Sequence, residues 1–293
     1  MILMLRDLIR VQDFRELAKF LAHMNKQKSF HIGYCGEEVE EIHKTLNEDF
    51  VLDDRQITFH IARDDHGEIE FAIGFDIDGA SAEVWGPYNT NFNLNEQLIV
   101  WEQMTKEYQT IETYSFFLNK ENLKQQEFMN AIHARKTGEH LILEINKQNF
   151  KAVQIMRSTD FIPTDLNSFV ALHEVTFPNT YYSAQTIVNR LNNDCNLKVL
   201  KSESNEMLGY VYYEMDLELK EATIHYFAIS PIAQNQGYGT MLLKEAITEI
   251  FSFSEINEIQ LCVDNSNAKA NHVYMNAGFQ LKDVLYSYRL INS

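Results

Sequence analysis

A strand, a glycine-bearing turn and an amphipathic helix follow one another without a break in residues 227–245, FAISPIAQNQGYGTMLLKE. Gly237 and Gly239 stand where the helix is expected to begin. Glycine tolerates positive φ and leaves no Cβ between backbone and ligand, so the N–H groups of such a turn can converge on an anion. The unpaired N–H groups and the dipole of the helix add to that attraction. The segment therefore predicts a strand-to-helix connection that cradles a pyrophosphate.

The turn differs from two common phosphate-binding loops. A Walker loop requires Gly-Lys followed by Ser or Thr, and a dinucleotide-binding turn requires a third glycine; neither is found at Gly239. Residues 234–239, QNQGYG, instead resemble the acyl-CoA loop of the GCN5-related N-acetyltransferases (GNAT): Arg or Gln, two residues, Gly, one residue, Gly or Ala. Ile229 and Pro231 stand where that family closes its fourth strand. A turn that only caps a helix is the alternative interpretation.

A second segment, IQLCVDNSNAKANHVYMNAGF at residues 259–279, reads as a strand, an asparagine-rich turn and a helix ended by Gly278. It resembles the fifth strand and fourth helix of the GNAT family, and Asn267, Tyr274 and Gly278-Phe279 fill the family's pattern. The resemblance implies that Asn267 bonds to the pantetheine arm and that the Tyr274 hydroxyl lies near the thioester sulfur. The alternatives are an N-cap for Asn267, which does not exclude the first role, and a core aromatic residue for Tyr274.

The resemblance implies an α/β fold of the α+β, GNAT-like type, and a length of 293 residues indicates two domains. The helices and strands expected in the first half recur in the same order in the second. Residues 85–87 (WGP) fall where 229–231 (ISP) fall, and 128–131 (FMNA) match 274–277 (YMNA). We therefore predict an internal duplication: two tandem acyl-CoA N-acyltransferase domains, each a mixed, mostly antiparallel sheet flanked by helices.

The first copy is expected to have lost cofactor binding and catalysis. After Pro87 it reads YNTNFNLNEQL, with no glycine to open the backbone to a pyrophosphate. Phe128 also has no hydroxyl where Tyr274 has one. In this respect it resembles the degenerate partner domain of tandem GNAT proteins.

No Pro- or Gly-rich linker separates the copies. Two strand-like runs, residues 141–146 and 152–157, meet at the join with only a few polar residues between them. We place the boundary near Asn149, which gives a degenerate GNAT-like domain over residues 1–149 and a catalytic domain over residues 150–293.

Net charge limits the partners of the chain. Asp and Glu number 42 against 25 Lys and Arg, a formal charge of -17. Such a surface repels nucleic acid and anionic membranes and attracts a cationic amine. We expect a small-molecule amine or a peptide as substrate, no nucleic-acid or membrane partner, and a monomer or homodimer.

The cysteines, Cys35, Cys195 and Cys262, are odd in number and far apart, which indicates neither a disulfide framework nor a metal site. The ten histidines are dispersed, so no metal is predicted. The amino terminus, MILMLRDLIR, carries charges before a signal-length apolar core can form, and no later run approaches about 18 apolar residues. The expected compartment is the reducing cytoplasm.

The resemblance implies acetyl-CoA as cofactor. In the GNAT family the fourth and fifth strands splay apart, the fourth often with a bulge, and the pantetheine lies in the gap. Backbone N–H groups of Phe227 and Ile229 are then expected to hold the pantetheine and the acetyl carbonyl, while the turn holds the pyrophosphate. The expected cofactor-binding residues are Phe227, Ala228, Ile229, Gln234, Asn235, Gln236, Gly237, Tyr238, Gly239, Thr240, Asn267 and Tyr274.

Acetyl transfer to an amine needs an acceptor for the amine proton and a donor for the leaving thiolate. His225 projects from the fourth strand two residues before Phe227, and in the serotonin N-acetyltransferase branch of the family a histidine at this place relays the proton through water. An intrinsic pKa near about 6.5 suits that task. A half-buried strand histidine is the alternative role, and Glu221, Glu214 or water are alternative bases. Tyr274 is the expected general acid.

An aromatic, partly acidic pocket for the amine is predicted from Tyr181, Tyr182, Tyr212 and Glu214, which could equally be core and surface residues. The predicted function is acetyl-CoA-dependent N-acetylation of a primary amine, on a small molecule or peptide, by direct attack in the C-terminal copy. A non-catalytic acyl-CoA-binding or regulatory module is the alternative. A third possibility is a tandem transferase using aminoacyl-tRNA, which the acidic charge and the CoA loop disfavour.

Overall fold

The computed structural model describes residues 8–52, 55–91, 93–178 and 180–292. The chain forms two compact units. The first contains the chain up to His140 together with the residues from Val284 onward, and the second contains Leu141–Asp283. In these described ranges no helix is long and apolar enough to cross a membrane.

The first half of the chain, within the described residues, forms four helices and six strands. Its helices are α1 (Phe14–Asn25), α2 (Val39–Asp49), α3 (Leu94–Glu107) and α4 (Leu123–Ala131). Its strands are β1 (Ile9–Arg10), β2 (Phe59–Arg63), β3 (Ile69–Asp78), β4 (Ser81–Asn89), β5 (Thr113–Asn119) and β6 (Arg135–Asn146). Asp13 starts α1 by accepting hydrogen bonds from the N–H groups of Arg15 and Glu16, as an N-cap does.

The second half repeats this order. Its helices are α5 (Leu166–Thr176), α6 (Ala184–Arg190), α7 (Tyr238–Ile250) and α8 (Ala268–Ala277). Its strands are β7 (Thr159–Asp160), β8 (Cys195–Lys201), β9 (Met207–Asp216), β10 (Glu221–Ile229), β11 (Glu258–Asp264) and β12 (Gln280–Ile291). One apolar face of α7 is buried against the core, through Leu242, Leu243, Ala246, Ile247 and Ile250. This spacing is that of an amphipathic helix packed on a sheet.

Each unit contains a mixed, mostly antiparallel sheet, which confirms the predicted fold class. The strand order is β1-β2-β3-β4-β5-β12 in the first unit and β6-β11-β10-β9-β8-β7 in the second. Both contain a short parallel pair: β4 pairs with β5 over residues 81–83 and 113–115, and β10 pairs with β11 over 221–223 and 258–260. The same short parallel pairing in both copies supports the internal duplication.

The last strand of the chain completes the sheet of the first unit. β12 pairs antiparallel with β5, from Leu285 opposite Asn119 to Ile291 opposite Thr113, and Tyr288 is buried in the first core. The structure therefore differs from the predicted division into residues 1–149 and 150–293. In the structure the first unit ends at His140 and also includes the end of β12. The sequence did not predict this, because pairing with a strand far away in the chain leaves no local signal.

The prediction of a strand at residues 152–157 was wrong. This segment has no regular structure, and the side chain of Ile155 is 77% exposed. The backbone bonds to helix side chains instead of a neighbouring strand: the N–H of Val153 donates to Thr248 Oγ1 at 3.0 Å. We call residues 151–158 the strap, because it bonds to α7 at Val153 and again at Ser158, whose N–H donates to Glu245 Oε2 at 2.7 Å.

One part of the proposed alignment of the copies also needs correction. Pro87 lies inside β4, whereas Pro231 follows the end of β10, so the two prolines are not equivalent. The other part agrees with the structure. Residues 128–131 and 274–277 form the last four positions of α4 and α8.

Candidate functional site

β10 and β11 diverge soon after they begin, which leaves one edge of β10 open. Their parallel pairing ends at Thr223 and Gln260, although β10 continues to Ile229. A bulge lies in β10 between Ile224 and Tyr226, so that His225 is the extra residue opposite β9. A bulge re-aims the side chains around it and often lies beside a functional site. The splayed strands and the bulge agree with the geometry expected from the sequence.

The polar backbone groups of Phe227 and Ile229 face this open edge. Ser230 N donates to Leu208 O of β9 at 2.9 Å, and antiparallel bonding alternates along a strand. The N–H of Ala228 is therefore directed towards β9, so Ala228 offers no free N–H to a ligand. The carbonyl of Ile229 accepts from Gln234 Nε2 at 3.1 Å, as expected for a group on the open side.

The turn that follows β10 presents free N–H groups at the start of α7. Gly237, at the N-cap, has φ of 83°, and no side chain caps the helix. A Cβ at Gly237 would meet no protein atom within 4 Å. The first bond of the helix is Met241 N to Gly237 O, at 3.1 Å, so the N–H groups of residues 238–240 have no partner among the described residues.

Side chains of the turn bond within it and fix its shape. Gln236 Nε2 donates to Ile232 O at 2.7 Å, and Asn235 takes φ of 61°. Tyr238, Gly239 and Thr240 are the first three residues of α7. These observations fit a diphosphate: a rigid turn, open space above Gly237 and a helix N-terminus with uncommitted donors.

Asn267 is the N-cap of α8, since its side-chain oxygen accepts from Ala270 N at 3.1 Å. The alternative that the sequence left open for it is therefore present in the structure. A cap uses the oxygen of the side chain and leaves its amide NH₂ group for another partner. The pantetheine contact stays a prediction.

Tyr274 lies on α8 between two aromatic rings, 6.0 Å from Phe227 and 6.0 Å from Phe279 by ring centroids. The residue is only 9% exposed, and its hydroxyl has no hydrogen-bond partner in the part of the chain that is described. Burial, together with Cys262, raises the pKa of Tyr274 to about 12. The hydroxyl is thus protonated at neutral pH and can donate to a group in the gap.

His225 stands at the edge of an aromatic cluster. Its ring lies 5.9 Å from that of Tyr182 and 6.0 Å from that of Tyr212, and its Nε2 lies 3.7 Å from Glu214 Oε2. Burial lowers the pKa of His225 below its usual value, against the opposing effect of Glu214 and with a further contribution from Arg190. The side chain keeps 32% of its surface exposed. A neutral, accessible imidazole at this position can accept a proton at pH 7.

The predicted acceptor residues are brought together around His225. Tyr181 is 89% exposed, and its ring lies 4.8 Å from that of Tyr182. The N–H of Tyr182 donates to Tyr226 Oη at 3.0 Å, and its carbonyl accepts from His173 Nε2 at 2.9 Å. Glu221, an alternative base, lies instead in the paired part of β10, opposite Asp216.

Comparison with known proteins identifies a family domain within the second unit. Residues 166–279 match the model of the Acetyltransferase (GNAT) family. This part of the chain is therefore a GNAT domain. GNAT proteins in general use acetyl-CoA as acetyl donor, so the chain is assigned to the acyltransferases.

Solved structures share the GNAT fold over nearly the whole chain. A GCN5-related N-acetyltransferase from Sphaerobacter thermophilus is 15% identical, with a TM-score of 0.75 over 97% of this chain and 95% of that one. A tandem GNAT protein from the clavulanic acid biosynthesis pathway is 9% identical, with a TM-score of 0.67 over 97% and 98%. An acetyltransferase of the GNAT family from Colwellia psychrerythraea is 11% identical, with a TM-score of 0.55 over 97% and 99%. At these identities the likeness shows the fold alone.

The first copy has the GNAT topology but a different helix start. Asn93 caps α3 by accepting from Glu96 N at 3.1 Å, and Glu96 Oε2 accepts from Asn93 N at 2.8 Å. The N-terminal donors of α3 are thus partly used, and a carboxylate stands where a phosphate would have to bind. A separate contact joins α4 to β4, since the side-chain amide of Gln125 donates from Nε2 to the carbonyl oxygen of Pro87 at 2.5 Å.

Arg190 is the functional-site residue that the sequence reasoning missed in the GNAT domain. Its guanidinium binds Glu214 through two hydrogen bonds of 3.0 Å, and Tyr212 donates to the same carboxylate. Burial would raise the pKa of Glu214, but the bonds from Arg190 and Tyr212 outweigh it, so the pKa lies below its usual value. Arg190 thus compensates the charge of Glu214, and the aromatic, partly acidic pocket stays a prediction. The sequence does contain a signal for this pairing, because Arg190 is a basic residue in the last turn of α6, close in sequence to Tyr181 and Tyr182.

Proposed function

We propose that the protein is an acetyl-CoA-dependent N-acetyltransferase that acetylates a primary amine of a small molecule or peptide by direct attack. The GNAT domain of the second unit is the catalytic one in this proposal. The observation that carries it is the uncapped start of α7 beside the open edge of β10. The N–H groups of residues 238–240 are available to a diphosphate, and those of Phe227 and Ile229 are available to the amide groups of a pantetheine arm.

Each residue then has a separate task. Acetyl-CoA supplies a thioester whose acetyl group can pass to a nucleophile. The N–H groups of residues 238–240 bind its diphosphate, and those of Phe227 and Ile229 orient the arm and polarise the carbonyl. His225 accepts the proton of the amine, directly or through a water molecule. Tyr274 donates the proton that the departing sulfur requires.

The start of α3 supports a single cofactor site per chain. Its capping box leaves fewer free N–H groups than α7 has, and Glu96 repels an anion. We therefore propose that the first copy supports the fold and does not bind acetyl-CoA. The cytoplasmic location also stays a prediction.

A thiol-release assay tests the function. Acetyl-CoA is incubated with the protein and with polyamines, aminoglycosides, amino acids or peptides with free amino termini. We expect release of CoA that depends on one of these classes of amine. Binding of acetyl-CoA without release in the whole panel would instead favour a non-catalytic acyl-CoA-binding module.

The pH dependence of kcat/KM is expected to follow the protonation of His225. The neutral imidazole is the active form, and its lowered pKa keeps it neutral at pH 7. Activity should therefore fall only as the pH drops below about 6.5, the ordinary value for histidine. His225→Gln should reduce kcat/KM by roughly hundredfold and remove this acidic limb.

His272→Gln is a matched control, because His272 is an exposed histidine on α8. It should leave both the rate and the pH profile unchanged. An acidic limb that persists in His225→Gln would assign the base to another group, such as Glu214 or water.

A further inference from the structure

The ion pair of Arg190 and Glu214 lies beside His225, the proposed base. Arg190 Nε donates to Glu214 Oε1 and Arg190 Nη2 donates to Glu214 Oε2, both at 3.0 Å. Tyr212 also donates to Oε1, so three donors fix the carboxylate. The other oxygen, Oε2, lies 3.7 Å from His225 Nε2. This distance is longer than a hydrogen bond, so Glu214 acts on the imidazole through its charge.

Two charged groups act on His225 in the part of the chain that the structure describes, Glu214 and Arg190. The carboxylate favours the imidazolium, whereas the guanidinium bound to that carboxylate opposes it. His173 of α5 contacts the ring of Tyr226 at 4.9 Å between centroids, and burial lowers the pKa of His173. The remaining titratable groups around the pair are neutral at pH 7, because burial raises the pKa of each one: Cys195 of β8, Tyr212 of β9 and Tyr182 of the loop before α6.

The first copy has a carboxylate at the position of Glu214. Asp76 of β3 lies opposite Glu83, the last residue of β4 in the short parallel pair. Glu214 of β9 lies opposite Thr223, the last residue of β10 in the equivalent pair. Asp76 and Glu214 therefore correspond to each other in the duplication.

The first copy differs in having no base and no arginine at this place. Trp85 stands two residues after Glu83, as His225 stands two residues after Thr223. Burial raises the pKa of Asp76 to about 6, and no guanidinium among the described residues acts against it. The arginine thus accompanies the carboxylate only in the copy that has a histidine beside it.

We propose that Arg190 is a positioning residue for the general base: it holds Glu214 so that the carboxylate orients His225 without protonating it in advance. The inference rests on the proposed function, in which His225 accepts the proton of the amine. The charge of Glu214 favours the tautomer with its hydrogen on Nε2, which leaves Nδ1 as the acceptor. Arg190 compensates that charge, so the imidazole stays neutral until the amine is bound. The amine nitrogen then loses one proton to Nδ1, directly or through a water molecule, and its lone pair attacks the acetyl carbonyl.

An NMR titration of protein with isotope-labelled histidine measures the pKa of His225 without an acceptor amine. The signal of His225 is the one that is absent from His225→Gln. Arg190→Ala should raise the pKa of His225 by roughly one unit, because Glu214 is then uncompensated. Glu214→Gln should lower it. In the Glu214→Gln background, removal of Arg190 should have a clearly smaller effect, because Arg190 acts mainly through Glu214.

The pH profile of kcat/KM is the second measurement, with the amine that the thiol-release assay identifies. In Arg190→Ala the acidic limb should move up by the same roughly one unit. The value of kcat/KM then falls roughly tenfold on the acidic side and approaches that of the wild type above about pH 8. A purely structural role of Arg190 would lower kcat/KM at every pH. Arg190→Lys should shift the limb less, because lysine keeps the charge without the paired donors.

Arg63→Ala is a matched control for the loss of a doubly bonded ion pair. Arg63 binds Glu16 through two hydrogen bonds of 2.6 Å in the first unit. Its removal should change neither the pKa of His225 nor the pH profile.

Two results would overturn the inference and leave the proposed function standing. One is an unchanged pKa of His225 in Arg190→Ala, and the other is a loss of activity that is equal at every pH. If Arg190→Ala shows no cooperative thermal transition, the same two results in Arg190→Lys carry the same meaning. A wild-type protein that transfers no acetyl group to any amine of the panel would instead contradict the proposed function itself.

Discussion

Gly237→Val is expected to weaken the binding of acetyl-CoA by at least about hundredfold. Valine resists φ of 83°, the value that Gly237 takes at the N-cap of α7. Its side chain would also project into the space above the turn, where no protein atom lies within 4 Å of a Cβ. The loss of about two charge-assisted hydrogen bonds to phosphate is enough for this effect. Calorimetric titration with acetyl-CoA measures it directly.

Gly67→Val separates backbone strain from the loss of the cradle. Gly67 takes φ of 84°, also has no atom within 4 Å of a Cβ, and lies in the first unit between β2 and β3. Both variants should lose similar stability in thermal unfolding, while only Gly237→Val loses affinity. An affinity of Gly237→Val equal to wild type would show that the diphosphate binds elsewhere. Tight residual binding would also contradict the single-site proposal, because it would point to the copy that contains α3.

Tyr274→Phe is expected to lower kcat by roughly tenfold to a thousandfold while the affinity for acetyl-CoA changes little. Phenylalanine preserves the packing against Phe227 and Phe279 and removes only the hydroxyl. With a pKa of about 12, that hydroxyl carries its proton at every pH at which the enzyme is normally assayed. Steady-state kinetics combined with calorimetric binding separates the loss of proton donation from a loss of cofactor.

Tyr213→Phe is the control for this variant. Tyr213 is fully buried in the same core as Tyr274, but it lies on β9. Removing its hydroxyl should leave kcat near the wild-type value. Unaltered turnover of Tyr274→Phe would exclude the tyrosine as general acid, and an equal loss in both variants would indicate a general effect of the core.

Features with local signals were the ones predicted from sequence. α7 begins directly after Gly237 and α8 ends directly before Gly278. Both glycines take positive φ, which other residues rarely adopt, so both helix ends are marked in the sequence. The splayed part of β10 and a bulge in this strand were expected from the family resemblance, whereas the position of the bulge at His225 was not. The first copy could be distinguished because no glycine follows Pro87 before α3 and because Phe128 has no hydroxyl.

Features that depend on distant segments were missed or wrongly predicted. The strap has the composition of a strand, but no neighbouring strand edge is paired with it, so its backbone bonds to Thr248 and Glu245. The pairing of Arg190 with Glu214 joins the end of a helix to the middle of β9. The bonds of the strap and the pairing of Arg190 with Glu214 cannot be predicted from a short stretch of sequence, because both depend on the tertiary fold.

The pairing of β12 with β5 also has a consequence during synthesis. The chain up to His140 leaves the ribosome well before the residues from Val284 onward, which complete its sheet. At ordinary elongation rates the delay is roughly 7 to 30 seconds. Throughout that interval β5 presents an unprotected edge that a second nascent chain could pair with, so the first unit matures only after residues 285–291 have been translated.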